Sequence, residues 1–267
     1  MQLTALQRML AIAAAVAAAA CSGGAPAPPA MGYDPQALPA GPAGRTIAYG
    51  HDIIVDTQHL MKGYVRANLS CQACHIAAGT KARGGSFVGT YARFPQWNKR
   101  AHRMIALQDR LAECFLYSMN GRPPGYSSKA MIAMVAYIAW LSRGTPVGAA
   151  QRKSDRFMEP LPSRSPDVEH GRALYAQKCT ACHRADGNGI AGAYPPLWGS
   201  GSFNAGAGMA HVDRMTGFVR YNMPQNAPGS LTLEDAYDVS AYVLGHARPR
   251  FSRKILVAPL PQPAGFF

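Results

Sequence analysis

The chain of 267 residues carries 27 Lys and Arg against 14 Asp and Glu, a formal charge of +13, with 48% hydrophobic residues and six cysteines. That is apolar material for one large or two small globular domains, and it excludes bulk disorder. Cysteines at 21, 71, 74, 114, 179 and 182 are too few and too clustered for the disulfide framework of a small secreted scaffold, and the excess charge asks for acidic partners without naming them.

In chain order, residues 1–20 hold one charge, Arg8, followed by an apolar run from Met9 to Ala20. This is the length of a signal-peptide core and too short for a spanning helix, so export to the periplasm is expected. Ala18-Ala19-Ala20-Cys21 resembles a lipobox that lacks its usual Leu or Val. Cys21 is therefore a candidate lipid anchor, with ordinary cleavage in the same small-residue stretch as the alternative. Residues 21–44, rich in Ala, Pro and Gly, read as a flexible tether. No later run has the length to cross a bilayer; the apolar stretch from Ala130 to Leu141 suits a buried helix.

A first domain is expected over residues 45–144. Ile53/Ile54, Thr57, Leu60/Met61 and Tyr64/Val65 recur at helical spacing ahead of Cys71-Gln72-Ala73-Cys74-His75. In CxxCH two thiols reach the two vinyl groups of one porphyrin, and the adjacent histidine supplies the proximal nitrogen to iron. A redox dithiol or half a zinc site are the other readings of CxxC; the immediate His, the duplication of the motif and the export signal favour covalent haem. A Gly-rich loop follows. If Leu107 to Met119 is helical, Arg110, Cys114 and Ser118 share one face at i, i+4 and i+8. Arg100, with Lys99 and Arg103 nearby, adds positive charge from the preceding loop, a pattern that a solvated basic surface would also give. A closing helix is expected from Met131 to Leu141, stopped by Gly144 and Pro146.

Residues 145–165, rich in Pro, Arg and Lys and without period, read as a linker to a second domain over 166–267. Ser165-Pro166 predicts an N-cap and N1 pair for a helix through Val168, Gly171, Leu174/Tyr175 and Lys178. Cys179-Thr180-Ala181-Cys182-His183 repeats the haem motif, and a closing helix from Glu234 to Leu244 begins at Thr232 and stops at Gly245. Val135-Ala136-Tyr137-Ile138 and Ser240-Ala241-Tyr242-Val243 occupy matching places. The expected architecture is all-α: two tandem class I-like cytochrome c domains, each with one covalently bound haem c forming most of its core.

The sixth iron ligands differ between the repeats. Met223-Pro224 lies 40 residues after His183, with Met209, Met215, His211 and His246 as alternatives. A thioether favours ferrous iron and raises the potential. The corresponding place in the first repeat, 39 residues after His75, is Cys114, with Met119 and Met104 as alternatives. A free cysteine is often a small buried hydrophobe, but an exported chain seldom keeps an unpaired thiol without use. A thiolate favours ferric iron, so the two haems should differ widely in potential.

Tyr91-Ala92-Arg93-Phe94-Pro95, the run from Asp109 to Gly121 around Cys114, Phe203-Asn204-Ala205-Gly206-Ala207-Gly208-Met209 and Asn222-Met223-Pro224 resemble the dihaem thiosulfate dehydrogenases, over roughly residues 46–250. The resemblance implies oxidative coupling of two thiosulfates to tetrathionate, reversible as tetrathionate reduction. It implies His75 and Cys114 as ligands of an active-site haem, His183 and Met223 as ligands of an electron-exit haem, and a soluble or membrane-bound cytochrome acceptor. Arg100, Arg110 and Ser118 would hold substrate beside Cys114. Where some members carry a lysine before the distal methionine, this chain has Asn222, so a lysine-for-methionine exchange is not expected. The rival from another class is a dihaem electron carrier without catalysis, which would place Met-Pro in both repeats. The spread of Lys and Arg over both repeats, without a stacking-aromatic module, argues against nucleic-acid binding.

Overall fold

The computed structural model of the protein describes residues 32–251; the expected signal segment, Cys21 and residues 252–267 lie outside them. The main elements are α1 (Pro42–Val55), β1 (Gln96–Asn98), β2 (Arg103–Ile105), α2 (Leu107–Tyr117), α3 (Lys129–Trp140), α4 (Val168–Lys178), α5 (Val212–Asn222) and α6 (Leu233–Leu244).

Each half is organised by one helix crossing: α1 packs on α3, and α4 on α6. Both crossings need a glycine so that the backbones can touch. A Cβ on Gly50 would lie 2.0 Å from the Ala133 carbonyl oxygen, and one on Gly171 would lie 2.1 Å from that of Asp238. The same pair is thus built twice, and Tyr137 and Tyr242 sit four residues past equivalent contact points.

Local chemistry sets the helix ends. Ser128 caps α3 by accepting the Met131 N–H, and Thr232 with Asp235 forms a capping box on α6. The start of α4 differs from expectation: Asp167, not Ser165, is the N-cap, accepting from the His170 N–H. The first helix also lies upstream of its expected place. It begins at Pro42, inside the stretch expected to be tether, and ends at Val55; after a short turn (Thr57–Leu60) the chain is irregular up to Cys71. Thr57 explains the use of that break. Its hydroxyl donates to the Ile53 carbonyl (2.6 Å) while accepting the Cys71 N–H (2.9 Å), so it ties the helix end to the haem motif.

Two features were not foreseen. One is an antiparallel hairpin, β1 with β2, that pairs exposed Trp97 with exposed Met104 and carries Arg100 in its turn. The other is α5, whose apolar residues Met215, Phe218 and Val219 face the second core.

One side-chain core lies in the first half, around Ile53, Ile54, Phe115, Met131, Met134 and Tyr137. A second core joins the halves: Leu69, Tyr117 and Met119 pack with Tyr175, Phe203 and Met215. Asn204 reinforces the seam, donating from its side chain to the Leu116 carbonyl (2.8 Å) and from its backbone to that of Tyr117 (3.2 Å). The segment between the repeats is pinned to the second half. Phe157 contributes the carbonyl against which Gly217 packs, and Arg164 makes a two-pronged bond to buried Asp238 at 2.8 and 2.9 Å. Among the described residues no helix is long and apolar enough to cross a membrane.

Candidate haem sites and anion pocket

In the first half, Cys71 and Cys74 sit on a tight 3-10 turn, followed by His75. The His75 Nδ1 faces the Gly85 carbonyl at 2.5 Å. A carbonyl only accepts, so Nδ1 carries the proton and Nε2 keeps its lone pair for a metal. Phe87 stacks on the other side of the ring, with centroids 4.2 Å apart. Only glycine fits position 85: φ is +67°, and a Cβ would lie 2.5 Å from the Cys74 carbonyl oxygen and 2.9 Å from His75 Nδ1. Burial pushes His75 down to about 4, so it is neutral at pH 7. Burial likewise pushes the Cys71 and Cys74 thiols up to about 12, the neighbouring Cys114 sulfur adding to the effect.

Cys114 thus lies near enough to both thiols of the first haem motif for its charge to act on them. It comes from α2, on the face that also presents Arg110, whose Nη1 lies 3.4 Å from Cys114 Sγ and 3.5 Å from Glu113 Oε2. The sulfur charge foremost, and then Glu113, raise the Arg110 pKa above its already high ordinary value and so hold it protonated. Ser118 caps the same helix one turn on, its N–H bonded to the Cys114 carbonyl. Met119 is buried in the core shared by the halves and Met104 is exposed on the hairpin.

Burial raises the Tyr117 pKa, and the charges of Arg100 and Arg110 both act to lower it. The Arg100 guanidinium covers the Tyr117 ring at 4.2 Å and donates to the Gly206 carbonyl of the second half at 3.0 Å. Arg93, in the Tyr91–Pro95 stretch, adds a cation within reach of the Arg110 charge. Burial lowers its pKa and the positive charge of Arg110 lowers it further, while Nη2 donates to Thr90 Oγ1 at 2.8 Å.

The second half repeats the proximal arrangement. His183 Nδ1 donates to the Pro195 carbonyl at 2.9 Å, which again leaves Nε2 free. A cavity of about 710 Å³ is lined by Cys179, Cys182, His183 and Met223, within the roughly 300–1,000 Å³ usual for cofactor pockets. Met209 and Met215 also border it. His246 is engaged elsewhere, stacked on Trp198 and donating to the Tyr242 carbonyl. Cys74, Ala73 and Gln72 form part of the same cavity wall, so the two haem motifs adjoin. Paired thiols and oriented imidazoles fit covalent haem in both halves, and the second adds an apolar cavity.

Residues 61–147 match the SoxA/TsdA cytochrome c domain and residues 168–247 match cytochrome c. The protein is a two-domain c-type cytochrome with two covalent haem c groups. It is 42% identical over 223 residues to thiosulfate dehydrogenase of Allochromatium vinosum, covering 80% of this chain and 82% of that one. It is 37% identical over 222 residues to thiosulfate dehydrogenase of Stutzerimonas stutzeri, covering 82% and 72%. The chain belongs to the thiosulfate dehydrogenase family. The solved thiosulfate dehydrogenase TsdBA of Marichromatium purpuratum superimposes with a TM-score of 0.78 at 30% identity, over 87% of this chain; the chain spans about half of that protein's length, 54%.

Proposed function

We propose that this protein couples two thiosulfates to tetrathionate, 2 S₂O₃²⁻ → S₄O₆²⁻ + 2 e⁻, at the Cys114 site, and passes the electrons on through the Met223 side to an external cytochrome. The observation that carries this reading is the Arg110–Cys114 pair at 3.4 Å, near enough to Cys71 and Cys74 for its sulfur charge to act on both, at the sequence offset where the second half has methionine. A carrier without chemistry needs no such pair. The relatives at 42% and 37% identity, both thiosulfate dehydrogenases, support the same substrate.

Each bound haem supplies a one-electron acceptor, and two of them match the two electrons released. The residues supply the rest. Bringing two dianions to ~5 Å costs about 3 kcal/mol even in water, and more in a drier pocket. Arg110 offsets this with a planar donor fork suited to oxyanions, beside the sulfur where the new bond forms. Ser118, one turn along the helix, offers a hydroxyl donor, and Arg100 extends positive charge from the hairpin to the domain seam. The net charge of +13 draws anions to the molecule. In this reading His75 and Cys114 are the ligands of the active-site haem, and His183 and Met223 those of the exit haem. The reverse reaction, tetrathionate reduction, uses the same groups.

The apolar segment before Cys21 supports a periplasmic location, with Cys21 as a lipid anchor. The acceptor is a soluble or membrane-bound cytochrome. The test is product stoichiometry: the holoprotein with thiosulfate and excess oxidised cytochrome should yield one tetrathionate per two thiosulfates and two reduced acceptors. Acceptor left oxidised, with thiosulfate unconsumed, would overturn the reading.

A further inference from the structure

Asn222, immediately before Met223, is fully buried and joins the two halves. Its Nδ2 donates to the Phe218 carbonyl of its own helix at 3.0 Å and to the Arg83 carbonyl of the first half at 2.9 Å. Two carbonyls around one nitrogen fix the orientation of the amide, because only the NH₂ end can satisfy both. Arg83 is held a second time, its guanidinium 4.1 Å from the centre of the Tyr221 ring. It also has φ of +59°, a left-handed conformation that costs a non-glycine residue about 1–2 kcal/mol and needs surrounding contacts to persist.

The loop held in this way ends at the proximal ligand of the other haem site. A Cβ on Gly84 would lie 3.3 Å from Asn222 Oδ1, and Gly84 accepts the Ile76 N–H through its carbonyl at 2.8 Å; the next carbonyl, Gly85, takes the His75 Nδ1–H. The path from Met223 to His75 is therefore one peptide bond, one side-chain hydrogen bond, two residues of a closely packed loop and one more hydrogen bond. A hydrogen bond to the far nitrogen of a ligating histidine makes that ligand a stronger donor and lowers the potential of its iron.

We propose that Asn222 is a positioning residue that couples the two haem sites: its amide fixes the start of the Met223 segment and, through Arg83 to Gly85, the carbonyl that tunes His75. The inference rests on the axial-ligand reading given above, and it places the coupling in the amide of a residue that ligates neither iron.

The test is a potentiometric titration of the holoprotein, following each haem by its absorption and low-temperature spin-resonance signals. Asn222→Leu keeps approximate shape and removes both donors. It should weaken the methionine–iron absorption band of the second haem and also raise the potential of the first haem, whose His75 loses a firmly held acceptor. Gly84→Ala works from the other side, since its new methyl would lie 3.1 Å from Ile76 Cβ and 3.3 Å from Asn222 Oδ1; it should disturb the methionine band as well as the first haem. Changes confined to the haem of the altered half, or no change in either, would overturn the coupling. If Asn222→Leu fails to mature, Gly84→Ala decides alone. A wild-type spectrum without the methionine band would overturn the ligand reading and the coupling with it, whereas a normal wild-type band with one-sided variants overturns only the coupling.

Discussion

The two halves share a scaffold and differ in the sulfur residue that the proposed reading assigns as the second iron ligand. Each has a glycine-mediated helix crossing, a CxxCH turn and an imidazole oriented by a backbone carbonyl. For that place the first half offers Cys114, with Arg110 and Glu113, from the middle of a helix, whereas the second offers Met223, the extended residue ending α5, in the wall of an apolar cavity. A sulfur beside a cation can meet an anion and take part in sulfur chemistry; a thioether in an apolar wall can only tune a potential. The groups that set the first half apart, Arg110, Glu113 and Cys114, all come from one helix, α2.

The sharpest way to break this contrast is Cys114→Ala. Two haems per chain should still be attached, since the CxxCH turns are untouched, while turnover falls on the order of 10⁴-fold, the scale of losing a reacting group. Near-normal oxidation of thiosulfate would make the first site no different in kind from the second. Arg110→Ala should cost about 10²–10³-fold in kcat/KM, through a raised KM and a lowered kcat, as for the loss of one charge-stabilising donor; unchanged steady-state kinetics would reduce Arg110 to surface charge. Met223→Ala should have a smaller effect and on a different step. Reduction by thiosulfate persists in rapid mixing, the second haem's potential drops, and delivery to the acceptor slows.

The smallest effect concerns the scaffold itself. At the crossing in the second half, buried Asp238 is bonded by Arg164, His170 and the Asp167 N–H; the first half has instead a stack of Tyr33 on His51 beside Tyr137. Burial raises the Asp238 pKa, but the bonds from Arg164 and His170 outweigh it and leave the carboxyl below its usual range. His170 is raised, chiefly by its bond to Asp238. The carboxylate contribution is present above about pH 4 and lost on acidification through the lowered folded value. The histidine contribution is present below about pH 6.5 and lost as pH rises through the raised one. Asp238→Ala should lower stability by about 1–3 kcal/mol and flatten this pH dependence in thermal melts, with haem potentials unchanged.

Much of this was legible in the sequence because the chemistry is local. CxxCH, the helix face bearing Arg110, Cys114 and Ser118, and the closing helices with their caps are short-range patterns. The misplaced features were long-range. Ile53 to Val65 has helical spacing, yet Thr57 turns its hydroxyl to both the helix end and Cys71, and the helix stops. Met215, Phe218, Val219 and Asn222 do stand at helical spacing and could have revealed α5; Gly217 within it masks the signal, and that glycine is required by the Phe157 carbonyl of a distant segment. The placement of Arg100 on Tyr117 and Gly206, and the bond from Asn222 to Arg83, depend on how the halves meet, which no local pattern encodes.

The most direct measurement is anaerobic addition of thiosulfate to the fully oxidised holoprotein while following haem absorption. Both haems should be reduced, with loss of the methionine–iron band and formation of tetrathionate. A spectrum left unchanged by thiosulfate, in protein that dithionite reduces fully, would contradict it.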